Sequence, residues 1–324
     1  MHKVYITRKI PEAGLRKLVD AGYSIIENTE DRNLTRQELI AALSEHNPDA
    51  VICLLTDTID EEIFEAAPNA KIFANYAVGY DNLDIRAAHD RNITLTNTPG
   101  VLTDTVAEHT VALLLSLTSR IAEADRYVRA GKFKGWAPLL FLGNDLKGKT
   151  LGILGAGRIG SRVAEIAYNG LGMEIFYYDL NENSHLNTEY SARFCTTIEE
   201  ILEQADVISV HLPLLDSTRH ILNEKNLAVM KPTSYLINTS RGPVIDEKAL
   251  VDALQRKIIK GAALDVFENE PELTSGLAEL DNTVLTPHIA SATEETRSKM
   301  SELAAENIIA FFNGEKPKNL IQVS

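Results

Sequence analysis

The sequence is poor in several features that would assign it to a specialised class of protein. Its 324 residues hold only two cysteines, Cys53 and Cys195, too few for a disulfide framework or a cysteine-rich metal cluster. The longest clean apolar run, at 111–117, is too short to cross a bilayer. The first ten residues also lack the apolar core of a signal peptide. We therefore expect a soluble, reduced, cytoplasmic protein with no membrane partner.

Positive charge is scarce as well. The chain has 32 Lys and Arg against 46 Asp and Glu, which gives a net charge of −14 at pH 7. An acidic surface repels nucleic-acid phosphates, so no nucleic-acid partner is expected. No cluster of residues has metal-ligand spacing, so we expect no metal site. Neither a Gly-x-Ser-x-Gly nor a Walker motif occurs. If the substrate is an anion, the positive charge that binds it must be local.

The rest of the composition is that of an ordinary globular protein, with 44% hydrophobic and 24% charged residues. The length favours two domains. Short apolar runs alternate with helix-length patterns, which predicts an α/β fold with mainly parallel sheets. The predicted strands are Lys3–Thr7, Ala50–Leu54, Lys71–Ala74, Thr150–Leu154, Glu174–Tyr178, Val207–Val210, Tyr235–Asn238, Ala262–Asp265 and Thr283–Leu285.

Turn and helix signals in the sequence predict where one domain ends and the next begins. A turn signal at 97–100 ends the first set of strands, and one long helix is predicted over 103–130. A helical pattern at 291–313 is expected to pack back on the first domain. We predict a flavodoxin-like substrate domain at 1–100 plus 290–324 and an NAD-binding Rossmann domain at 101–289. The expected fold is thus α/β, two Rossmann-like parallel-sheet domains with a cleft between them.

A glycine-rich turn points to a dinucleotide. Gly155, Gly157 and Gly160 follow a predicted strand and open a helical pattern, and Asp179 ends the next strand 19 positions after the last glycine. Glycines at these positions allow a tight turn, close approach of a pyrophosphate and close helix packing, while the acid binds ribose hydroxyls. The alternative is an ordinary strand-to-helix turn whose glycines serve packing only.

The same acid predicts which cofactor is used. Asp179 would repel the 2′-phosphate of NADP, and no Arg or Lys occurs at 180–183 to neutralise that phosphate. We therefore expect NAD, with NADH preferred over NADPH.

Three successive predicted strands are followed by residues suited to hydride transfer onto a 2-keto acid. Arg241, Glu270 and His288 come after these strands, and ligands of parallel sheets bind at the carboxyl ends of strands. Arg241 can clamp a carboxylate, and His288 can donate a proton to the carbonyl oxygen. Glu270 beside His288 would favour the imidazolium.

Each of these residues also has a plain structural explanation. A lone His after a strand is often a hydrogen-bonding residue, an Arg before Gly-Pro is often in a surface turn, and a Glu before Pro is often in a loop. Their joint occurrence behind a dinucleotide turn favours function. His211 is the rival base, and we interpret it as a loop residue on the cofactor side; the other six histidines have no comparable setting.

Taken together, these motifs resemble those of the D-isomer-specific 2-hydroxyacid dehydrogenases, over essentially the whole chain. Within that family the sequence is most similar to glyoxylate and hydroxypyruvate reductases. The residues that carry the resemblance are 75–84, 98–101 with 106–108, the glycine turn with Asp179, 240–242, Asp265 with 270–271, and 287–288.

The resemblance implies a role for each matching residue. Arg241, Glu270 and His288 would be catalytic, while Leu54 and the amides of Val78 and Gly79, with Arg241, would bind the substrate. The implied cofactor contacts are Gly155, Gly157, Arg158, Ile159, Gly160, Asp179, Thr239 and Asp265. It also implies a homodimer through the NAD-binding domains. Trp136 would either reach the partner's active site or pack in the dimer contact.

The expected activity is NAD(H)-dependent reduction of glyoxylate or hydroxypyruvate to the D-2-hydroxy acid. Alternatives within the family are a D-lactate, D-glycerate or phosphoglycerate, or phosphite dehydrogenase. An alternative of another class is a non-catalytic, NAD-sensing corepressor-like protein.

Overall fold

The structure, a computed structural model, describes residues 1–322. The chain divides into two compact units, one formed by residues 1–102 with 292–322 and the other by Thr103–Ser291. None of the helices in residues 1–322 is long and apolar enough to span a membrane.

The first unit is a parallel sheet with helices between successive strands. Its strands lie in the order β2-β1-β3-β4-β5, which is the doubly wound, flavodoxin-like order. The elements are β1 (Lys3–Ile6), α1 (Glu12–Asp20), β2 (Ser24–Glu27), α2 (Arg36–His46), β3 (Ala50–Cys53), α3 (Glu61–Ala66), β4 (Ile72–Asn75), α4 (Ile85–Asp90) and β5 (Thr94–Thr96).

The second unit is a seven-stranded parallel sheet in the order β12-β11-β10-β9-β6-β7-β8. Its elements are α5 (Thr103–Thr118), α6 (Ile121–Arg129), β6 (Thr150–Leu154), α7 (Arg158–Leu171), β7 (Glu174–Tyr178), α8 (Ser184–Tyr190), β8 (Arg193–Phe194), α9 (Ile198–Gln204), β9 (Val207–Val210), α10 (Glu224–Ala228), β10 (Tyr235–Asn238), α11 (Glu247–Gln255), β11 (Gly261–Leu264) and β12 (Thr283–Leu285). The chain then returns to the first unit with α12 (Glu294–Phe312).

The sequence dictates these elements through burial and capping. The central strands β3, β4, β9, β10 and β11 are buried along their whole length, as strands covered on both faces must be. Most helices start at a side chain that accepts a hydrogen bond from the first turn. These capping residues are Thr35, Asp60, Asp84, Asn183, Thr197, Asn223, Asp246 and Thr293.

The predicted class, two parallel-sheet α/β domains, is confirmed. Two details of the prediction are wrong. Three short strands were missed, β2, β5 and β8, each at the edge of its sheet. The single helix predicted over 103–130 is two helices, because Arg120 between α5 and α6 adopts a left-handed conformation with a φ of 57°. The Thr118 carbonyl at the end of α5 accepts from Asn144 instead of continuing the helix.

Candidate active site

The glycine turn follows β6 at the point where the strand order of the second sheet reverses. Gly155 has a φ of 95°, and a Cβ there would lie 2.8 Å from the carbonyl oxygen of His211. A Cβ on Gly160 would lie 2.1 Å from the carbonyl oxygen of Gly155, so α7 can pack this closely only with glycine. Gly157 faces open space, with nothing within 4 Å of an added Cβ. The turn therefore fits a pyrophosphate at the N-terminus of α7.

Asp179 directly follows β7 and is tied to the same turn. One carboxylate oxygen accepts from the backbone N–H of Ala156 at 2.8 Å, and the other accepts from Leu180 at 2.6 Å. Of the two residues that open α7, Arg158 is exposed, whereas Ile159 is half-buried against the core. The Ile159 side chain has no hydrogen-bonding group, so only its backbone N–H could bind a pyrophosphate.

His288 and Glu270 form a direct pair in the second unit. The Nδ1 atom of His288 lies 2.9 Å from Oε2 of Glu270, and the other oxygen of Glu270 accepts from the N–H of Phe267 at 3.0 Å. Burial raises the pKa of Glu270, but the hydrogen bond and charge of His288 outweigh burial, with help from Phe267 and Arg241. The pKa of Glu270 therefore lies below its ordinary value. A carboxylate beside the ring stabilises the protonated imidazole.

Asp265 fixes the loop that carries His288. It is fully buried at the end of β11, and its carboxylate accepts from the hydroxyl of Thr286 at 2.6 Å and from the amides of Ile289 at 2.9 Å and Ala290 at 2.8 Å. Burial raises the pKa of Asp265, but the nearby His109 and these three hydrogen bonds hold it below its ordinary value. His288 adopts a left-handed φ of 54°, and its own N–H donates to the Asp265 carbonyl. The buried carboxylate thus supports an unusual backbone conformation at His288.

Arg241 follows β10 in a loop that is fixed from two sides. The buried side chain of Asn238 donates to the Arg241 carbonyl at 2.9 Å, and the guanidinium donates to the Ser240 carbonyl. Gly242 lies against the backbone of Phe267, where an added Cβ would be only 1.9 Å from the Phe267 carbonyl. This contact joins the loop of Arg241 to the loop that carries Glu270.

Helix α5 reaches these strand ends through two side chains. The Thr110 hydroxyl lies 2.9 Å from that of Thr239, a predicted cofactor contact that is nearly buried. The Nε2 atom of His109 lies 3.3 Å from the hydroxyl of Thr286 and 3.5 Å from Oδ1 of Asp265. The sequence gives no sign of a role for His109, since its partners are more than 150 positions away. The signal that could have indicated a role for His109 was its position on the inward face of a long apolar helix.

Two further histidines lie near strand ends without touching Glu270. Burial lowers the pKa of His211 to about 3, and its Nε2 atom is 2.8 Å from the Ser209 hydroxyl. A neutral, half-buried imidazole suits the wall of the glycine turn at Gly155 and does not suit a proton donor. His220, also unassigned from the sequence, lies 2.6 Å from a carboxylate oxygen of Glu268.

The predicted substrate residues of the first unit lie in loops that follow β3 and β4. The Asn75 amide donates to the Gly79 carbonyl at 2.9 Å, and the Asn97 amide donates to the Val78 carbonyl at 2.7 Å. These contacts fix the peptide planes of Val78 and Gly79. The N–H of Leu54 donates to Asp57, a carboxyl whose pKa burial raises.

Two further predictions concern metals and Trp136. No group of three or more potential metal ligands occurs within residues 1–322. Trp136 is 85% exposed, in a stretch outside helices and strands that also exposes Phe133, Leu139 and Leu142. Such a group of exposed apolar side chains is typical of an interaction surface.

Comparisons with known proteins identify the family of the chain. Residues 111–290 match the family model "D-isomer specific 2-hydroxyacid dehydrogenase, NAD binding domain". Glyoxylate reductases from Thermofilum pendens and Thermococcus litoralis are 47% and 49% identical over 98% of this chain and 94% and 96% of theirs. A crystal structure of an NADPH-dependent glyoxylate/hydroxypyruvate reductase from Sinorhizobium meliloti is 31% identical, with a TM-score of 0.85 over 99% of this chain and 96% of that one. The chain therefore belongs to the D-isomer specific 2-hydroxyacid dehydrogenases and is an enzyme that binds a nicotinamide cofactor.

Proposed function

We propose that this enzyme reduces small 2-keto acids, glyoxylate and hydroxypyruvate, to D-2-hydroxy acids with NADH. The observation that carries the proposal is the His288–Glu270 pair, with Nδ1 and Oε2 2.9 Å apart, in the unit that holds the glycine turn. The names of the relatives support the substrate class, since two that are 47% and 49% identical to this chain are called glyoxylate reductases.

In this proposal His288 is the proton donor. Its Nδ1 atom is engaged by Glu270, so Nε2 is the ring atom that can face a carbonyl oxygen. When bound, the reduced nicotinamide supplies the hydride to the carbonyl carbon. The Nε2 proton of His288 passes to the oxygen as negative charge develops there, while Glu270 stabilises the imidazolium beforehand.

The proposal assigns the substrate carboxylate to one side chain and two amides. Arg241 can clamp a carboxylate with two parallel hydrogen bonds and polarise the neighbouring carbonyl. In the first unit, the amides of Val78 and Gly79 are proposed to bind a substrate carboxylate, and their carbonyls are already occupied by Asn97 and Asn75. An apolar side chain at Leu54 suits a small substituent without charge, which argues against phosphorylated substrates.

The preference for NADH over NADPH is part of the proposal and rests on Asp179. Both of its oxygens accept backbone hydrogen bonds from the glycine turn and Leu180, so the carboxylate is held in place. A fixed negative charge repels a 2′-phosphate. The remaining predicted contacts, at Arg158, Ile159, Thr239 and Asp265, are proposed to line the pyrophosphate and nicotinamide.

We also propose a homodimer formed through the NAD-binding domains. Its support is the exposed apolar group around Trp136, which a second copy would cover. Sedimentation of the purified protein measures the assembly state. Trp136→Asp together with Leu139→Asp should shift the protein to monomer, and an unchanged dimer would place the contact elsewhere.

A substrate panel tests the reaction itself. Purified enzyme should oxidise NADH with glyoxylate and hydroxypyruvate faster than with pyruvate or phosphohydroxypyruvate, and NADPH should support a lower kcat/KM. Preference for pyruvate would indicate a D-lactate dehydrogenase instead. Binding of NADH without turnover of any keto acid would favour the non-catalytic, cofactor-sensing alternative.

A further inference from the structure

The catalytic loop between Phe267 and Thr274 is tied at two points to one buried carboxylate. Glu247, at the first position of α11, is only 3% exposed. Its Oε1 atom accepts from the N–H of Glu268 at 3.3 Å, and its Oε2 atom accepts from the N–H of Thr274 at 3.1 Å. Glu270 lies between these two points of attachment.

The Glu268 carboxylate in turn accepts from the backbone of Glu247 and also contacts a histidine. Its Oε2 atom accepts from the N–H of Glu247 at 3.2 Å, so each carboxylate accepts from the other's backbone. Its Oε1 atom lies 2.6 Å from Nε2 of His220, and the N–H of His220 donates to the carbonyl of Pro243 at 2.8 Å. The network therefore connects the segments that follow β9, β10 and β11.

A capping role for Glu247 does not account for these contacts. An acid in the first turn of a helix commonly serves the helix dipole or the cap. Here Asp246 already caps α11, by accepting from the N–H of Ala249 at 3.0 Å. Both oxygens of Glu247 instead point to amides of another loop, and burying a carboxylate is costly unless such partners are present.

We propose that Glu247 is a positioning residue for Glu270, acting by holding the loop 267–274, with Glu268 and His220 as its support. The proposal rests on the proposed function, in which Glu270 stabilises the protonated His288. A loop that is anchored on both sides of Glu270 keeps Oε2 at hydrogen-bonding distance from Nδ1 of His288.

Loss of the anchor has a specific consequence for the pH profile. Burial raises the pKa of Glu270, and the groups that offset burial are His288, the Phe267 amide and the charge of Arg241. If the loop relaxes, the hydrogen bond to His288 weakens while burial largely remains. The pKa of Glu270 then rises, and the acid limb of the kcat/KM profile moves to higher pH.

The experiment compares Glu247→Gln and Glu247→Ala with Asp252→Asn. Asp252 lies in the same helix and is an exposed acid paired with Arg256, so its variant controls for charge removal. Glu247→Gln keeps one acceptor and should lower kcat/KM about tenfold, with an upward shift of the acid limb by about half a pH unit. Glu247→Ala should lower kcat/KM further and shift the acid limb by more than Glu247→Gln does. Asp252→Asn should have the kcat/KM and the pH profile of wild type.

NADH affinity and amide exchange separate positioning from general damage. NADH affinity should stay within about twofold of wild type, because the glycine turn is not in this network. Deuterium uptake at 266–275 should rise in the Glu247 variants with or without substrate turnover. If wild type turned over no keto acid, the proposed function would fail. The exchange measurement would still show whether Glu247 holds the loop 267–274.

His220→Asn provides a second variant at a more exposed site, for the case in which Glu247 variants do not fold. It should raise deuterium uptake at 266–275 and shift the acid limb in the same direction, by less. Unchanged uptake, or an unmoved acid limb in folded variants, would overturn the proposal, as would a loss of NADH affinity that matched the loss of kcat/KM.

Discussion

A single methyl group at Gly242 should separate the loops that carry Arg241 and Glu270. In Gly242→Ala the new Cβ would lie 1.9 Å from the carbonyl of Phe267 and 2.5 Å from the N–H of Glu268. Both contacts are with backbone atoms, so no change of side-chain rotamer can relieve them. Since carbon contacts below about 3 Å are not tolerated, the two loops must separate by about 1 Å. A displacement of this size at a catalytic group costs on the order of 100-fold in rate.

Steady-state oxidation of NADH with glyoxylate measures this effect. The expected kcat/KM for Gly242→Ala is about 100-fold below wild type, with NADH affinity retained. Gly170→Ala is the matched control, because Gly170 lies within α7 and an added Cβ there meets nothing within 4 Å. It should keep full activity and gain roughly 0.5–1 kcal/mol of stability. Activity within a fewfold of wild type in folded Gly242→Ala would refute the idea that this contact sets the catalytic geometry.

Three further predictions concern the cofactor, the substrate and acid stability. Asp179→Ser should raise the NADPH-to-NADH ratio of kcat/KM by about tenfold or more, since it removes a fixed negative charge; an unchanged ratio would remove Asp179 from cofactor choice. Asn97→Ala frees the Val78 carbonyl, so the KM for glyoxylate should rise about tenfold while the KM for NADH does not change. Asp265 has a lowered pKa, so the unfolded state binds its proton first and stability falls as pH drops below about 4. Denaturant unfolding of Asp265→Asn between pH 3 and 6 should show a shallower fall than wild type, and an equal slope would contradict this.

The α/β class could be predicted because its signal is local. Strands such as β9 and β10 are buried on both faces and read as short apolar runs. The edge strand β2, with the sequence SIIE, is half-buried and holds only two apolar residues between Ser24 and Glu27, so it carries no such signal. The break between α5 and α6 depends on a left-handed Arg120, a residue type that ordinarily favours helix.

The chemistry of the site could be predicted because family motifs surround it, whereas its supports could not. His288 and Glu270 each follow a strand, and their joint occurrence behind a dinucleotide turn predicted the pair that the structure shows. Glu247, by contrast, looks like an ordinary first-turn acid in the sequence. Its partner Thr274 lies 27 positions away, and only the fold brings the two together. The same holds for His109, whose contacts with Asp265 and Thr286 cross from a helix to two strand ends.

The most direct test of the central claim is single-turnover NADH oxidation by His288→Asn with saturating glyoxylate, beside wild type. Asn is close to His in size and can donate a hydrogen bond, but it cannot deliver a proton. Wild type should turn over glyoxylate, and the variant should bind NADH normally but be slower by about 10²- to 10⁴-fold. Wild-type rates in His288→Asn would rule out His288 as the proton donor, because the proton would then come from another group.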